Sequence, residues 1–395
     1  MKVAKWFGFL LAGGLMGACT EVDLCYVDNH PHRTVLDFRF HWGEEYAAKR
    51  TDSMKVVAVR PVNLMRYEFR VSANEQDNKG VLLSPLDERQ EETVTGEDGI
   101  AHASGNDYLW VRPGNYKFVT YTMDSDIVAD ESGTGASEGN EVFSADLSNL
   151  VVAYKSFKAD DPRVKGVFGD WRTFNTYTDY VSGSTTPIFS GHVDYVDVPI
   201  AETRDNIVAV DFTPEPVTQH VAFKLSIEKE DSVVLDSITA EISGIPASIE
   251  LTTGLVDPEK SYKMLFRMAY PALSSREDSA RAVKLDCIGE VDVTGIVRSV
   301  DEGMRTGPGI LHLAFYCHVT RDGDGTPVSF QKIFYAGINL FNTLSGNKLL
   351  EWDEDAEKYS QTCHEAVLDI GSVLKLGKDK VVNGGSGSTG LDRWF

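Results

Sequence analysis

Leu311-His312-Leu313-Ala314-Phe315-Tyr316-Cys317-His318-Val319 carries Leu311, Leu313, Phe315, Cys317 and Val319 at every second position. Successive side chains of an extended strand point to opposite faces, so these five share one face. A helix would need apolar residues three and four apart. The same alternation recurs in Val221, Phe223, Leu225 and Ile227, set against Ala222, Lys224, Ser226 and Glu228. Tyr262, Met264, Phe266 and Met268 repeat it, and Leu36, Phe38, Phe40 and Trp42 oppose Asp37, Arg39 and His41. Half-buried strands of this kind, separated by turn residues, predict antiparallel sheets with one core face and one wet face. The chain is read as all-β, two consecutive antiparallel β-sandwich domains. Phe38, Phe40, Trp42, Tyr116 and Phe118 are expected in the first core, and Phe223, Leu225, Ile227, Leu313 and Phe315 in the second.

Punctuation between the runs supports that reading. Arg321-Asp322-Gly323-Asp324-Gly325 joins two alternating segments as a hairpin loop. It lacks the third acidic ligand and the distal Glu of a calcium loop. Helical periodicity is scarce, and only Ser274–Ala282 and Asp353–Ser360 are candidates for short surface helices. The stretch 124–140 is polar and reads as a loop or flap, with too little apolar content to offset its ordering entropy. The 395 residues suffice for two domains of ordinary size. The expected division is residues 1–18 leader, 19–34 tether, 35–205 first sandwich, 206–382 second sandwich and 383–395 a Gly/Ser-rich tail. Residues 201–206 form the connector, and Pro214 and Pro216 mark entry to the second sandwich.

The N-terminus predicts a location. Lys2 and Lys5 precede a short apolar core from Trp6 to Met16, and Gly17 and Ala18 then lead into Cys19. This is the layout of a secretory signal peptide, and small residues ending on Cys resemble a bacterial lipobox. Its implication is a signal peptide cleaved before Cys19 and a lipoprotein acylated, with palmitate among its chains, on that cysteine. Glu21 and Asp23 resemble the acidic signal that sends such lipoproteins to the outer face of the outer membrane. Loss of Lys2 and Lys5 with the leader leaves 36 Lys and Arg against 60 Asp and Glu, a formal charge of −24. So acidic a chain argues against nucleic-acid binding and against adsorption to anionic headgroups. An exported compartment permits disulfides, and Cys287–Cys317 is the candidate pair; the competing reading packs Cys317 as a small hydrophobe in its strand.

Residue patterns for chemistry are sparse. Cys25, His30, His32 and His41 have metal-ligand identities, but their spacing is not that of a zinc site. His30-Pro31-His32 reads better as a rigid extended lead into the first strand. The Gly/Ser tail contains a Gly-x-Ser-x-Gly-like run without the flanking strand and helix of a nucleophile elbow. No catalytic residue, metal or cofactor is called for, and the chain is expected not to be an enzyme.

Three segments carry a resemblance. The first is Leu24-Cys25-Tyr26-Val27-Asp28-Asn29-His30-Pro31-His32 and the strand that follows to Trp42. The second is Arg112-Pro113-Gly114-Asn115-Tyr116-Lys117-Phe118, where Pro presets φ, Gly takes positive φ and Tyr116 opens the next strand inward. The third is Ile242-Ser243-Gly244-Ile245-Pro246 running to Leu251-Thr252-Thr253-Gly254. In this order they resemble the Bacteroidales fimbrillin-associated anchor and accessory lipoproteins, with Ile245 where that family has Met. The resemblance implies paired transthyretin-like β-sandwich domains and a lipid-anchored fimbrial subunit at the cell surface, active in pilus assembly and cell adhesion. It also implies shaft or accessory subunits as partners, joined by strand addition. The alternative is a surface glycan-binding lipoprotein of a nutrient-uptake system, which an exposed aromatic platform would favour.

Overall fold

In the computed structural model, the described residues lie within 34–383, leaving aside 47, 52, 63–64, 73–80, 86–108, 112, 123–127, 130–149, 169–178, 185, 201–206, 272–283 and 323–326. The expectations for Cys19, Cys25, His30, His32, residues 201–206, the stretch Ser274–Ala282 and the tail beyond 383 therefore fall outside the described residues. So does residues 124–140, apart from one short strand.

Twelve strands are contributed by the first half of the chain: β1 Thr34–Phe40, β2 Ser53–Arg60, β3 Met65–Ser72, β4 Val81–Pro85, β5 Leu109–Val111, β6 Gly114–Thr122, β7 Val128–Ala129, β8 Val151–Tyr154, β9 Tyr180–Ser182, β10 Phe189–Val198, β11 Ile207–Phe212 and β12 Glu215–Pro216. Eleven follow: β13 Gln219–Lys229, β14 Val233–Pro246, β15 Ser248–Glu250, β16 Ser261–Met268, β17 Lys284–Val293, β18 Ile310–Asp322, β19 Pro327–Asn339, β20 Leu350–Asp353, β21 Lys358–Gln361, β22 Glu365–Leu376 and β23 Val381–Asn383. The protein is all-β, as the alternation requires. Among the described residues, helix is confined to short elements, the 3-10 turn Glu44–Tyr46 and the helices Pro162–Phe168 and Phe341–Asn347.

In the first sandwich a sheet ordered β11-β1-β5 faces one ordered β12-β10-β6-β2-β3-β4. Between them pack Leu36, Phe38, Phe69, Tyr116, Phe118, Phe189 and Phe212. The second sandwich sets β17-β13-β22-β23 against β19-β18-β14-β16-β9, and Phe223, Leu225, Ile227, Leu313 and Phe315 are all buried in its core. Phe38, Tyr116 and Phe118 are buried in the first core as expected, whereas Phe40 and Trp42 are only partly covered and pack at its margin.

β2 breaks the alternating pattern, with Val56, Val57, Ala58 and Val59 all buried. Val56 and Ala58 face the first core. Val57 and Val59, with Val119 and Tyr121 of β6, belong to the large core that continues into the second half. A strand covered on both faces reads as a continuous apolar run.

Among the described residues, pairing is mainly antiparallel, with three parallel exceptions: β1 with β11, β13 with β22, and β16 with β9. The first and the last of these cross the expected 205/206 division. β11 and β12 complete the sheets of the first sandwich, while β9 lies at the edge of a sheet of the second.

The expected helix at Asp353–Ser360 is instead a hairpin, β20 paired with β21 and Trp352 opposite Tyr359. Asp353 Oδ1 accepts hydrogen bonds from the backbone N–H groups of Asp355 and Ala356 at 3.0 Å, and Glu357 takes φ 53°. An Asx turn is the local alternative that Asp offers to a helix too short to hold its own nucleus. The other hairpin is as read, since β18 and β19 pair antiparallel from Ile310↔Asn339 to Asp322↔Pro327. Cys287 and Cys317 are buried free thiols on strands of two different sheets, and burial pushes each up to about 12.

Candidate functional site

Two motifs of the sequence prove to be backbone devices that set strand positions. Gly114 has φ 146°, and a Cβ there would fall 2.4 Å from Arg60 Nε. Tyr116 enters the core two residues later. Gly244 has φ 86°, and its Cβ would fall 2.7 Å from the Val297 carbonyl oxygen. Beside it the β14–β16 register shifts between Ser243 and Ile245. Ser243 Oγ accepts from the Ile310 N–H at 3.0 Å and donates to the Gly307 carbonyl. The Ser-Gly pair thus seats the loop before β18 against a bulge of β14.

Among the described residues, the outer edges of β10, β17 and β19 differ in their protection. β10 carries a register shift between Val193 and Val196, with Tyr195 at φ 61°. A bulge twists an edge away from pairing. β17 is closed by Ala269, which exchanges two backbone hydrogen bonds with Ile288 at 2.7 and 2.8 Å, and by Ser184, whose carbonyl accepts from Asp292 N–H at 2.7 Å. β19 differs from both. Its thirteen residues pair with β18 without a shift, and among the described residues no other backbone group pairs with it over Val328–Ile333. Val328, Ser329 and Gln331 are exposed there. A long regular edge presents a row of backbone donors and acceptors that a further strand can pair with.

A second arrangement escaped sequence reasoning: a buried polar cluster on the outer face of the five-stranded sheet. Glu241 Oε1 accepts from Lys263 Nζ at 2.9 Å and lies 2.6 Å from His312 Nδ1, while Tyr180 Oη donates to Oε2 at 2.8 Å. All four are buried. Register brings them together, since Glu241 lies opposite His312 across β14–β18 and Lys263 lies opposite Tyr180 across β16–β9. Burial pushes the Glu241 carboxyl up, but the His312 hydrogen bond and the Lys263 charge outweigh it and hold the group at about 2. Desolvation, and then the Glu241 charge, pushes the Tyr180 hydroxyl far up. Both carboxylate oxygens are occupied and the cluster is closed to solvent, so it fastens β9 to the sheet rather than presenting a reactive group. The helix Pro162–Phe168 lies over the same sheet, with Phe168 against Ala314 and the Val167 carbonyl accepting from Tyr335 Oη at 2.8 Å.

Of the remaining sequence candidates, His41 is exposed and pairs with Asp211 at 2.8 Å. Among the described residues no group of three or more His, Cys, Asp or Glu is placed to hold a metal ion, and no helix is long and apolar enough to cross a membrane. Trp352 is half exposed and meets Tyr359 edge-on, ring centroids 5.0 Å apart.

No family model matches the chain, and no curated protein does. Solved structures do resemble it over most of its length. The fimbrial anchor protein Mfa2 from Porphyromonas gingivalis is 11% identical, with a TM-score of 0.33 over 92% of this chain and 98% of that one. The tip fimbrial protein Mfa3 from the same organism is 12% identical, with a TM-score of 0.33 over 92% and 100%. A candidate adhesin from Bacteroides thetaiotaomicron is 14% identical, with a TM-score of 0.38 over 90% and 97%. These are Bacteroidales proteins of the kind that the three sequence segments resemble.

Proposed function

We propose that the protein is a surface lipoprotein of the outer membrane, held by acylated Cys19, that serves as an anchor or accessory subunit of a fimbrium. Its contribution is a backbone edge rather than a catalytic group. The observation that carries this reading is β19: thirteen residues in unshifted register at the rim of a sheet, beside two other long edges that are bulged or closed. Strand addition there would take affinity from main-chain hydrogen bonds and register from alternate side chains. The Cys19 lipobox supplies the tether such a subunit needs, and the three sequence segments that resemble the fimbrial anchor and accessory lipoproteins point to the class of partner.

The test exploits strand geometry. Along an antiparallel edge, alternate residues aim their N–H groups inward to the neighbour and outward to solvent. Gln331→Pro and Lys332→Pro therefore divide the roles: one removes a bond to β18, the other an outward donor. The variant that keeps native stability should lose co-purification with pilus subunits from outer membranes. Retention of those subunits by both variants refutes the β19 edge. Normal fibres in a full deletion strain refute the fimbrial role itself. Cys19→Ser should release the protein from membranes or leave an uncleaved precursor, and full membrane retention at normal size refutes the anchor.

The glycan-binding alternative has Trp352 behind it. One indole set edge-on against Tyr359 is a narrow base for stacking a sugar, and loss of measurable oligosaccharide affinity in Trp352→Ala would be needed to revive that reading.

A further inference from the structure

The first sandwich has a pole where the strand ends nearest the tether gather. β1 begins there, with Thr34 opposite Val111 of β5 and Val35 opposite Ile207 of β11. Thr34 Oγ1 donates to the Pro199 carbonyl at 2.6 Å, and Val198 lies opposite Gly114 at the start of β6. Arg60, packed against Gly114, brings the turn after β2 to the same end.

Four large apolar side chains stand out into solvent at this pole: Val62 at 84% exposure, Tyr195 at 74%, Ile200 at 62% and Ile207 at 56%. Among the described residues they are all of the exposed large apolar side chains of the first half. The remaining ones in the second half are scattered over different elements. Among the described residues, Arg60 and Lys117 are cations beside the four, the latter 5.3 Å from the Tyr195 ring centroid and 3.8 Å from Asp194. A gathered apolar patch with a polar rim marks an interaction site.

The chain length decides its occupant. Fourteen residues separate Cys19 from Thr34, which fully extended span about 50 Å and on average far less. A lipid on Cys19 thus holds this pole at high local concentration beside a bilayer. Resting on the lipoprotein reading of Cys19, we propose that the pole formed by Val62, Tyr195, Ile200 and Ile207 seats on the lipid headgroups of the membrane that holds the anchor. A Tyr ring and short aliphatic side chains suit the headgroup boundary, where an amphipathic ring sits with its polar end wet.

The test uses the full lipidated chain in phosphatidylcholine vesicles, whose neutral surface avoids repulsion of an acidic protein. An environment-sensitive fluorophore is placed by Val62→Cys, by Ile200→Cys or, as the distant control, by Val328→Cys, with Cys25 and Cys363 changed to Ser. Brominated phospholipid should quench the first two positions several-fold more than the third, with a blue shift. Equal quenching at all three positions, with acyl mass present on Cys19, overturns the seating and leaves the anchor standing. Absence of acyl mass on Cys19 overturns both.

Discussion

Glu241→Gln isolates one charge in the buried cluster without altering its shape. The glutamine keeps an acceptor for Tyr180, but the Lys263 ammonium, 8% exposed at its side chain, loses its carboxylate partner. Breaking a buried pair by removing one member costs about 3–5 kcal/mol, because the other charge stays desolvated. With a urea m-value of about 3 kcal/mol/M, the unfolding midpoint should fall by roughly 1–2 M while m stays constant. The double variant Glu241→Gln with Lys263→Met removes the stranded charge and should recover most of that loss. Urea titration followed by near-ultraviolet circular dichroism measures both. A single-variant loss under about 1 kcal/mol, or a double variant as damaged as the sum of its parts, would refute the view that compensated charges fasten β9 to the sheet.

The same carboxylate predicts a pH profile. A group held at about 2 against an ordinary 4.5 stabilises the fold above 4.5, and that contribution fades as pH falls through 4.5 toward 2. The wild-type chain should therefore lose about 3 kcal/mol more than Glu241→Gln across that window, and parallel curves in acid denaturation would contradict it. Gly244→Ala should cost well over 1 kcal/mol, since the residue has φ 86° and its added Cβ would meet the Val297 carbonyl at 2.7 Å; an unchanged melting temperature would show that the Ser-Gly bulge is not constrained. Phe118→Ala, at a fully buried site in the first core, should cost about 3–5 kcal/mol, measurable by the same urea titration. Native-state thiol titration should modify Cys363 well before Cys287 and Cys317, which are buried and pushed up to about 12. Equal rates would mean that the sheets open locally.

Period-two spacing of Leu311 to Val319 and of Val221 to Ile227 was enough to define strands and to name their core faces, because alternation in a strand is a property of neighbouring residues alone. The turn chemistry of Pro113-Gly114 and Ser243-Gly244 was legible for the same reason: positive φ is a local demand that glycine meets. The Asx turn at Asp353 was local too, and its acidic composition concealed it. Glu241, Lys263 and His312 sit between apolar residues at positions that read as an ordinary wet face. Only the register of β14 with β16 and β18, and the packing of β9 and the helix Pro162–Phe168 over that face, turned three polar side chains into a closed network. Likewise, every alternating run has two edges in sequence, and which of them stays open depends on what lies beside it. Ala269 and Ser184 close β17, a bulge turns β10 away, and β19 is left regular by contacts among residues far apart in the chain. Periodicity encodes the face of a strand, whereas its neighbour across a sheet is chosen by long-range packing that no local window contains.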